Sequence, residues 1–364
     1  MNISYPDIGP MEIQNVINAV SSSWVSSLGP YLEEFEDKFA KFCGTKYCVL
    51  TSNGTTALHL ALLAANITEG DEVLVPDLTF VATANAVRMV GATPVFVDIS
   101  ANSLCIDPNL LEDKITKKTK AIIPVHLYGH PADMLSINQI ATRHSLFVIE
   151  DAAEAHGAKI SGKSVGSYGD VGVFSFYGNK IITTGEGGAL VTNNSKIRDR
   201  VIMLRDHAMD KVNKYWHYEV GYNYRMTNIQ AALGLAQLER IEYFLKKRNE
   251  ILDAYRHYLQ PRGIKLNPKI GDVESVNWLT IAILPNFNRE FRDALITKMK
   301  SESVETRPFF YPMTMLPMYK SERSNFNQVS MDISSRGICL PTHMNIHEED
   351  IKKVSNVLLE FIEQ

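Results

Sequence analysis

The first residue that could carry chemistry is a lysine between a strand-like run and a glycine cluster. Lys180 follows the apolar run Phe174–Phe176, and Gly185, Gly187 and Gly188 come shortly after it. A lysine at the carboxyl edge of a parallel sheet lies where α/β proteins bind ligands, and its amine could attack a carbonyl carbon. The glycines precede a strand instead of a helix, so they are not a dinucleotide fingerprint. An ordinary surface lysine is the alternative.

Two acidic residues end another apolar run, and a third acid follows. Glu150 and Asp151 close the run, and Glu154 lies three positions further on. A carboxylate here could pair with a cationic ring nitrogen, which would in turn keep the carboxylate ionised. The alternative is a pair of acids that cap a turn or a helix. Glu154 and His156 are two positions apart, whereas one helix face would place metal ligands three or four apart, so we predict no metal site.

A polar segment between a strand and a helix could hold an anion. Asn53, Gly54 and Thr55 lie in the segment Thr51–Leu58, where a strand-like run ends and a helical pattern begins. Free backbone N–H groups and hydroxyls at a helix N-terminus form an anion cradle. A plain helix cap is the competing interpretation. No Gly-Lys-Ser/Thr follows, which excludes a Walker-type phosphate loop.

Two further segments complete the set. Phe80, in the turn Pro76–Thr83, could stack on a flat ring, although core packing explains a lone phenylalanine equally well. Asn223 lies in a polar turn, Gly221–Met226, before a helical pattern. An amine nucleophile, a ring-nitrogen partner, a phosphate cradle and a stacking face are together the parts that bind pyridoxal 5'-phosphate (PLP).

These residues require a sheet whose strands end close together. Seven short β-rich runs are predicted strands: Tyr47–Thr51, Glu72–Pro76, Pro94–Asp98, Lys120–His126, Leu146–Glu150, Gly172–Phe176 and Gly188–Thr192. Several of these runs are apolar on both faces, which indicates a largely parallel sheet covered by helices. Helical patterns over Thr56–Ala65, Val81–Val90 and Met134–His144 alternate with the runs, as in α/β proteins.

The pattern changes after about Thr227. Ile229–Leu259 has helical spacing and predicts one long helix between two lobes, followed by a β-like run at Leu279–Leu284 and a final helix at Glu348–Phe361. A chain of 364 residues is long for a single core. We therefore predict a large cofactor-binding domain over residues 1–237 and a smaller C-terminal α+β domain over residues 238–364.

Composition excludes several classes of partner. The net charge of −4 indicates neither nucleic acid nor an anionic membrane surface as a partner, so a bound phosphate must be held locally. The N-terminus lacks a secretory pattern, and the apolar stretches are too short to cross a bilayer. The four cysteines form no Cys-x-x-Cys pair, which predicts reduced, buried thiols. We expect a cytoplasmic enzyme.

The chain resembles the DegT group of sugar-nucleotide aminotransferases, which have the fold-type-I PLP architecture. The resemblance is carried by SNGTTALHLAL (52–62), PDLTFVATANAV (76–87), VIEDAAEAHGA (148–158), FSFYGNKIITTGEGG (174–188) and GYNYRMTNIQAALGLAQLE (221–239). The motifs occur in the order typical of the family and cover most of the chain. The resemblance implies an α/β fold with a mostly parallel seven-stranded sheet.

The resemblance also implies a role for each site residue. Lys180 would be the Schiff-base lysine, Asp151 would bind the pyridine nitrogen, and Glu154 would lie near the 3' oxygen of the ring. Gly54, Thr55 and Ser175 would hold the phosphate, and Phe80 would stack on the ring. The complete set of implied cofactor contacts is Asn53, Gly54, Thr55, Phe80, Asp151, Glu154, Ser175, Asn179, Lys180 and Asn223. Asn223 would reach the cofactor phosphate of a neighbouring subunit, which makes a homodimer with shared active sites part of the prediction.

Within the group, the chain is most similar to the branch that forms GDP-perosamine. The supporting stretches are 126–134, 215–228, 305–313 and 315–319. The implied reaction moves an amino group from L-glutamate, through the pyridoxamine form of the cofactor, to C4 of GDP-4-keto-6-deoxymannose. Trp216 and Tyr311 could contact the sugar or base, and Arg307 could pair with the diphosphate. The choice of GDP over UDP or dTDP rests on resemblance alone.

Two departures and three rival functions accompany this interpretation. Glu154 stands where many family members have Gln, and Thr314 where relatives often have His. A PLP-fold sugar dehydratase would carry His in place of Lys180. A non-catalytic protein of the same fold would not need the full ring-and-phosphate set. A nicotinamide-dependent enzyme would need a glycine-rich fingerprint that the sequence lacks.

Overall fold

The computed structural model describes residues 1–285, 287–320 and 327–363. The strands are β1 Tyr47–Thr51, β2 Glu72–Pro76, β3 Thr93–Val97, β4 Thr119–Ile122, β5 Phe147–Asp151, β6 Lys159–Ile160, β7 Lys163–Ser164, β8 Val171–Ser175, β9 Gly188–Thr192, β10 Lys265–Leu266, β11 Val273–Glu274, β12 Thr280–Ile283, β13 Arg307–Pro308 and β14 Gly337–Leu340. The helices are α1 Pro10–Ser21, α2 Pro30–Cys43, α3 Gly54–Ala64, α4 Ala82–Met89, α5 Met134–His144, α6 Ser195–Arg205, α7 Asn228–Glu239, α8 Ile241–Leu259, α9 Arg289–Ser301, α10 Gln328–Arg336 and α11 Glu348–Ile362.

The large sheet has seven strands in the order β1-β9-β8-β5-β4-β2-β3. Only β9 runs against its neighbours, since it pairs antiparallel with both β1 and β8 while the other pairs in this sheet are parallel. The predicted mostly parallel seven-stranded α/β fold is therefore confirmed. The carboxyl ends of β5 and β8 lie side by side, which brings Asp151 and Ser175 to the same edge of the sheet.

Alternating side chains of the sheet enter two different cores. In β2, Val73 and Val75 pack into a cluster with α3, α4 and α6, whereas Leu74 between them packs on the opposite face with α2, α5 and α7. This period-2 alternation explains why the strands are apolar on both faces. Burial of both faces fixes the register of each strand, because a slip by one residue would exchange the two cores.

The C-terminal part of the chain has its own sheet and core. Its four strands pair antiparallel in the order β10-β12-β14-β13. Helices α8, α9 and α11 cover this sheet with buried side chains such as Tyr255, Leu295 and Leu358. The N-terminal residues also lie here, since the Met1 amino group donates to Ser303 O at 2.6 Å. The division at residues 237 and 238 falls within α7 and stays a prediction.

The prediction of one long helix over Ile229–Leu259 is wrong. The helix is interrupted at Arg240, whose backbone (φ −99°, ψ 5°) leaves the helical region between α7 and α8. The Arg240 guanidinium binds the carboxylates of Asp7 and Glu12 at 3.0 and 2.7 Å. This ion-pair cluster fixes the break, and no feature of the helical spacing could have indicated it.

All four cysteines are free and buried, as predicted. No helix in the described ranges is long and apolar enough to cross a membrane.

Candidate active site

Lys180 lies in the loop after β8, and its amine faces inward. The side chain is 12% exposed, and Nζ lies 3.6 Å from Glu154 Oε1. Nζ also lies over the ring of Trp278, 3.9 Å from the ring centroid. Burial lowers the pKa of Lys180, while the carboxylates of Glu154 and Asp151 act to raise it. A buried amine with a lowered pKa is neutral more often and is therefore a better nucleophile than a surface lysine.

Asp151 and Glu154 are both buried at the end of β5. Asp151 accepts hydrogen bonds from Thr83 Oγ1 at 2.8 Å and from the Ala153 N–H at 3.2 Å. Glu154 accepts from the Tyr128 N–H at 2.8 Å. Burial raises the pKa of each carboxyl group, and Lys180 acts in the opposite direction on both. Small side chains between the two acids allow the tight turn that brings both to one place.

The cluster around Lys180 contains more acidic groups than basic ones. Asp151 and Glu154 are two carboxylates, whereas Lys180 is the one cation in the described chain that acts on both in this cluster. A buried carboxylate requires a partner charge, because desolvation of an unpaired ion is costly. A protonated pyridine nitrogen beside Asp151 would supply that charge, so the acidic residues fit a PLP ring.

The N-terminus of α3 forms an anion cradle between β8 and β9. Asn53 caps the helix, since its side chain accepts from the Thr56 N–H at 2.9 Å. The N–H groups of Gly54 and Thr55 at this end have no acceptor among the residues that the structure describes. A Cβ at Gly54 would lie 3.0 Å from Ser175 Cβ, which places Ser175 beside these N–H groups. The cradle fits a phosphate group.

The approach of this loop to the sheet depends on Gly188, the first residue of β9. A Cβ there would lie 2.4 Å from the carbonyl carbon of Asn53, closer than real Cβ contacts occur. The glycine at position 188 therefore permits a close approach between two backbone segments. It lets β9 pair beside β8 while the first turn of α3 passes directly over the strand ends.

Aromatic side chains form one wall of the site. The Phe80 ring is 55% exposed, and its centroid lies 5.8 Å from that of Phe310. Tyr128 stacks between Phe310 and Trp278, at 5.6 and 6.4 Å. The exposed face of Phe80 is available to a flat ligand. Tyr128 itself is buried and has a left-handed backbone (φ 53°) that directs its N–H toward Glu154.

Asn179 is joined to the site mainly through its backbone. Its carbonyl accepts from the Trp278 Nε1–H at 2.7 Å. Its side-chain Oδ1 is buried and has no hydrogen-bond partner in the described part of the chain. An orphaned buried acceptor one residue before Lys180 is compatible with a bound cofactor that donates to it.

Four predicted residues lie apart from this cluster. Asn223 is exposed, and its Oδ1 accepts from Arg225 Nε at 3.2 Å. Trp216 is 60% exposed, Arg307 pairs with the exposed Glu305 at 3.1 Å, and Tyr311 lies against Arg289. Within the described ranges, no hydrogen bond, ion pair or ring contact joins these four to Lys180, Asp151 or Glu154.

Two acidic or polar residues prove to be structural in this chain. Glu150 accepts from His126 Nε2 and from the N–H groups of Gly166, Tyr168 and Gly169, so it organises the β7–β8 turn. The capping alternative is therefore correct for Glu150, whereas Asp151 points into the site. Thr314 is buried, and its N–H and hydroxyl both donate to the Asp77 carboxylate, at 2.8 and 2.9 Å.

Sequence reasoning missed three residues of the site. Thr83 and Tyr128 lie in quoted motifs but received no role, and Trp278 lies in no motif at all. A tyrosine followed by Gly129 signals a left-handed turn, which could have indicated Tyr128. Thr83 is 68 positions from Asp151, and Trp278 is 98 from Lys180, so only the fold could reveal those contacts.

The amino-acid sequence matches an aminotransferase family and several named relatives. Residues 6–359 match the DegT/DnrJ/EryC1/StrS aminotransferase family. A GDP-perosamine synthase from Escherichia coli O157:H7 is 44% identical, and the match covers 98% of this chain and 97% of the relative. One from Vibrio cholerae is 41% identical, with coverage of 97% and 96%.

Solved structures of other proteins have a similar fold. Spr1654 from Streptococcus pneumoniae, in its PLP form, superimposes with a TM-score of 0.95 at 29% identity, covering all of this chain and 98% of that one. The same protein is known in a PMP form. DesV from S. venezuelae gives a TM-score of 0.90 at 33% identity, with coverage of 97% and 94%.

The fold and the site define a PLP-dependent transferase of the fold-type-I class. The chain belongs to the DegT/DnrJ/EryC1/StrS aminotransferase family. The predicted family, the predicted cofactor and the prediction of a PLP-dependent sugar-nucleotide aminotransferase are confirmed. The roles of individual site residues stay predictions.

Proposed function

We propose that this protein transfers an amino group from L-glutamate to C4 of GDP-4-keto-6-deoxymannose and so forms GDP-perosamine. The observation that carries the chemistry is the buried Lys180 amine, 3.6 Å from Glu154 at the end of the parallel sheet. The choice of substrate is supported by relatives named GDP-perosamine synthase at 44% and 41% identity over nearly the full chain.

The residues divide the work between binding and proton transfer. When bound, PLP supplies a protonated ring that withdraws electrons from the reacting carbon. Asp151 would hold the ring nitrogen, Phe80 would cover one ring face, and the N-terminus of α3 with Ser175 would hold the phosphate. Lys180 would first anchor the cofactor covalently and, once released, carry a proton between the cofactor and the substrate carbon.

Glu154 would hold the released Lys180 amine in place. At 3.6 Å the carboxylate stabilises the ammonium form, so a proton taken up at Nζ remains close to the reacting atoms. The Tyr128 N–H fixes the second oxygen of the same carboxylate. Contacts from two segments thus orient Glu154, and a glutamine could keep an oxygen that accepts from the Tyr128 N–H while losing the charge.

The substrate residues remain proposals. Arg307 is half-exposed, and its ion-pair partner Glu305 is equally exposed. Such a surface pair contributes little stability, so the guanidinium could turn to a diphosphate. Trp216 and Tyr311 present aromatic faces to solvent that could cover a sugar or a base. Thr314 would not contact substrate, because Asp77 already occupies both of its donors.

The test is an assay of the purified protein with L-glutamate and a panel of GDP-, UDP- and dTDP-linked 4-keto sugars. Mass spectrometry would identify the aminated products. We expect the highest kcat/KM with GDP-4-keto-6-deoxymannose. A higher value for a UDP- or dTDP-linked sugar would replace the nucleotide assignment, and loss of water without amination would replace aminotransfer by a dehydratase reaction.

We also propose a homodimer with shared active sites. Ile13, Ile17, Val20 and Trp24 are each about half exposed on and after α1, and Leu28 is 66% exposed. Ile13, Ile17 and Val20 follow helical spacing, and exposed apolar side chains that share a helix face support a protein interface. Asn223 is exposed on the same chain and would reach the phosphate bound by a second copy.

The Asn223→Ala variant tests this arrangement. We expect weaker PLP binding through the loss of a charge-assisted hydrogen bond, worth about 1.5–3 kcal/mol. The exposed Asn213, in the same loop region, supplies the control variant Asn213→Ala, which should bind PLP normally. Light scattering should give a dimer for both. A fully active monomer would exclude the shared site.

Two coarser proposals complete the description. A large domain over residues 1–237 and a small one over 238–364 are supported by the separate C-terminal core around Tyr255 and Leu358. A cytoplasmic location is supported by four buried, unpaired cysteines, since secreted proteins more often use cysteines in disulfides.

A further inference from the structure

Trp278 is a buried residue close to Lys180, and both of its N–H groups and its carbonyl oxygen make hydrogen bonds. It lies between β11 and β12 and is 4% exposed. Its backbone N–H donates to Tyr128 O at 3.1 Å, and its indole Nε1–H donates to Asn179 O at 2.7 Å. Its carbonyl accepts from the buried guanidinium of Arg248. The indole plane is therefore fixed by contacts from several parts of the fold.

The Lys180 amine lies close to both an aromatic ring and a carboxylate. Nζ lies 3.9 Å from the Trp278 ring centroid and 3.6 Å from Glu154 Oε1. The electron-rich face of an indole attracts an ammonium group and is the strongest of the aromatic side chains in this role. The hydrogen bond to Asn179 also fixes the residue directly before Lys180, so the indole controls both the backbone and the amine.

We propose that Trp278 is a positioning residue that holds the Lys180 amine against Glu154 and favours its protonated form. This inference rests on the proposed function for its importance in catalysis, because Lys180 is the proposed proton carrier. The effect of the Trp278 ring on the protonation of the Lys180 amine does not depend on that function. The proposal assigns to the C-terminal part of the chain a direct effect on the reactive lysine.

Two carboxylates also favour the protonated form of the Lys180 amine, and the indole ring acts in addition to them. Glu154 and Asp151 face the amine from the end of β5. His156 also interacts with Lys180, but burial lowers the pKa of His156 to about 3, so it is neutral at ordinary pH. Arg248 approaches from α8 and meets the Trp278 carbonyl, and its burial lowers the pKa to about 10. The indole ring is thus the group that faces Nζ from the C-terminal side.

The experiment measures the acidity of the Lys180 amine directly. The full-length protein is loaded with pyridoxamine 5'-phosphate, which cannot bond covalently to lysine and leaves the amine free. Limiting acetic anhydride then labels the protein across a range of pH, and mass spectrometry quantifies acetylation of the peptide that contains Lys180. The midpoint of this reactivity reports the pKa of the amine in the wild type, Trp278→Leu, Trp278→Phe and the control Phe309→Leu.

Loss of the ring face removes a stabiliser of the ammonium form, so the midpoint should fall. We expect Trp278→Leu to lower it by about 0.4–1.5 pH units, from the usual strength of cation–π contacts. Trp278→Phe keeps a weaker ring face and should lower it less. Phe309→Leu removes another buried aromatic, 4.8 Å from Tyr128 and without contact to Nζ, and should leave the midpoint unchanged.

The outcomes separate positioning from a purely structural role. An unchanged midpoint in both Trp278 variants would overturn the proposal, and so would an equal fall in Phe309→Leu. If Trp278→Leu does not fold, Trp278→Phe decides alone, since a fall is expected there too. If the wild type fails to transfer amino groups while the midpoint still falls, the proposed function is wrong and the positioning role stands.

Discussion

Replacing Glu154 by glutamine should lower the pKa of Lys180 and leave the fold intact. Glu154 Oε1 lies 3.6 Å from Nζ, and the two side chains are 4% and 12% exposed. Two unit charges about 4 Å apart interact by roughly 4 kcal/mol at the effective dielectric constant that describes protein sites. That energy corresponds to up to about 3 pKa units. Because Asp151 keeps its charge nearby, we expect a fall of about 1–3 units.

The expected direction of this pKa change follows from the form of the amine that the carboxylate stabilises. Removal of a negative charge disfavours the ammonium form, so Lys180 is neutral at lower pH in the variant. The neutral amine attacks the PLP carbonyl. The rate of PLP attachment should therefore reach its half-maximum at lower pH in Glu154→Gln than in the wild type, and attachment at pH 7 should be faster.

The assay follows visible absorbance after PLP is added to the cofactor-free protein at a series of pH values. Glu186→Gln is the matched control, because Glu186 is exposed in the same loop and its charge is screened by water. The control should keep the wild-type midpoint. A Glu154→Gln midpoint that stays in place or rises would refute the electrostatic account of this pair.

Two further substitutions test the scaffold around the site. Gly188→Ala should lower the stability of the protein by about 1–3 kcal/mol and weaken PLP binding, because the new Cβ would meet the Asn53 carbonyl carbon at 2.4 Å. Titration with PLP measures the affinity. The control Gly178→Ala, whose added Cβ has only a 3.9 Å contact, should keep the wild-type affinity. Glu12→Gln should lower the free energy of unfolding at pH 7 by about 2–4 kcal/mol, because Arg240 loses a buried partner 2.7 Å away. The pKa of Glu12 is lowered in the fold: burial acts to raise it, but hydrogen bonds, first from Arg240, prevail. The stability difference between the wild type and Glu12→Gln should therefore be present above the usual glutamate pKa and disappear as the pH falls through the lowered pKa of Glu12. Denaturation curves that still differ by the same amount well below that pH would contradict this reasoning.

The strands and the N-terminus of α3 could be predicted from local patterns because their signals are local. β1, β2 and β9 begin and end at the predicted residues, since apolar runs with polar ends define both their length and their burial. The segment Thr51–Leu58 contains a helix N-terminus, as predicted, and its cap is Asn53, for which no capping role was predicted. A capping side chain contacts N–H groups only a few positions away, so this signal is local.

The contacts that fix the lysine could not be predicted in the same way. Trp278, Tyr128 and Thr83 reach the site through the packing of distant segments, and no spacing rule relates them to Lys180 or Asp151. The break at Arg240 has the same origin, because its carboxylate partners lie near the N-terminus. Helical periodicity continues across the break and therefore predicts one helix.

The most direct test of the central claim is reduction of the PLP-loaded protein with borohydride, followed by digestion and mass spectrometry. Borohydride reduces the bond between the cofactor and its lysine and makes the attachment permanent. We predict one pyridoxyl-modified peptide, the one that contains Lys180, and no modified peptide in Lys180→Ala, although that variant should still bind PLP through the α3 cradle and Phe80. Modification of a different lysine, or equal labelling of Lys180→Ala, would contradict the assignment of Lys180 as the reactive amine.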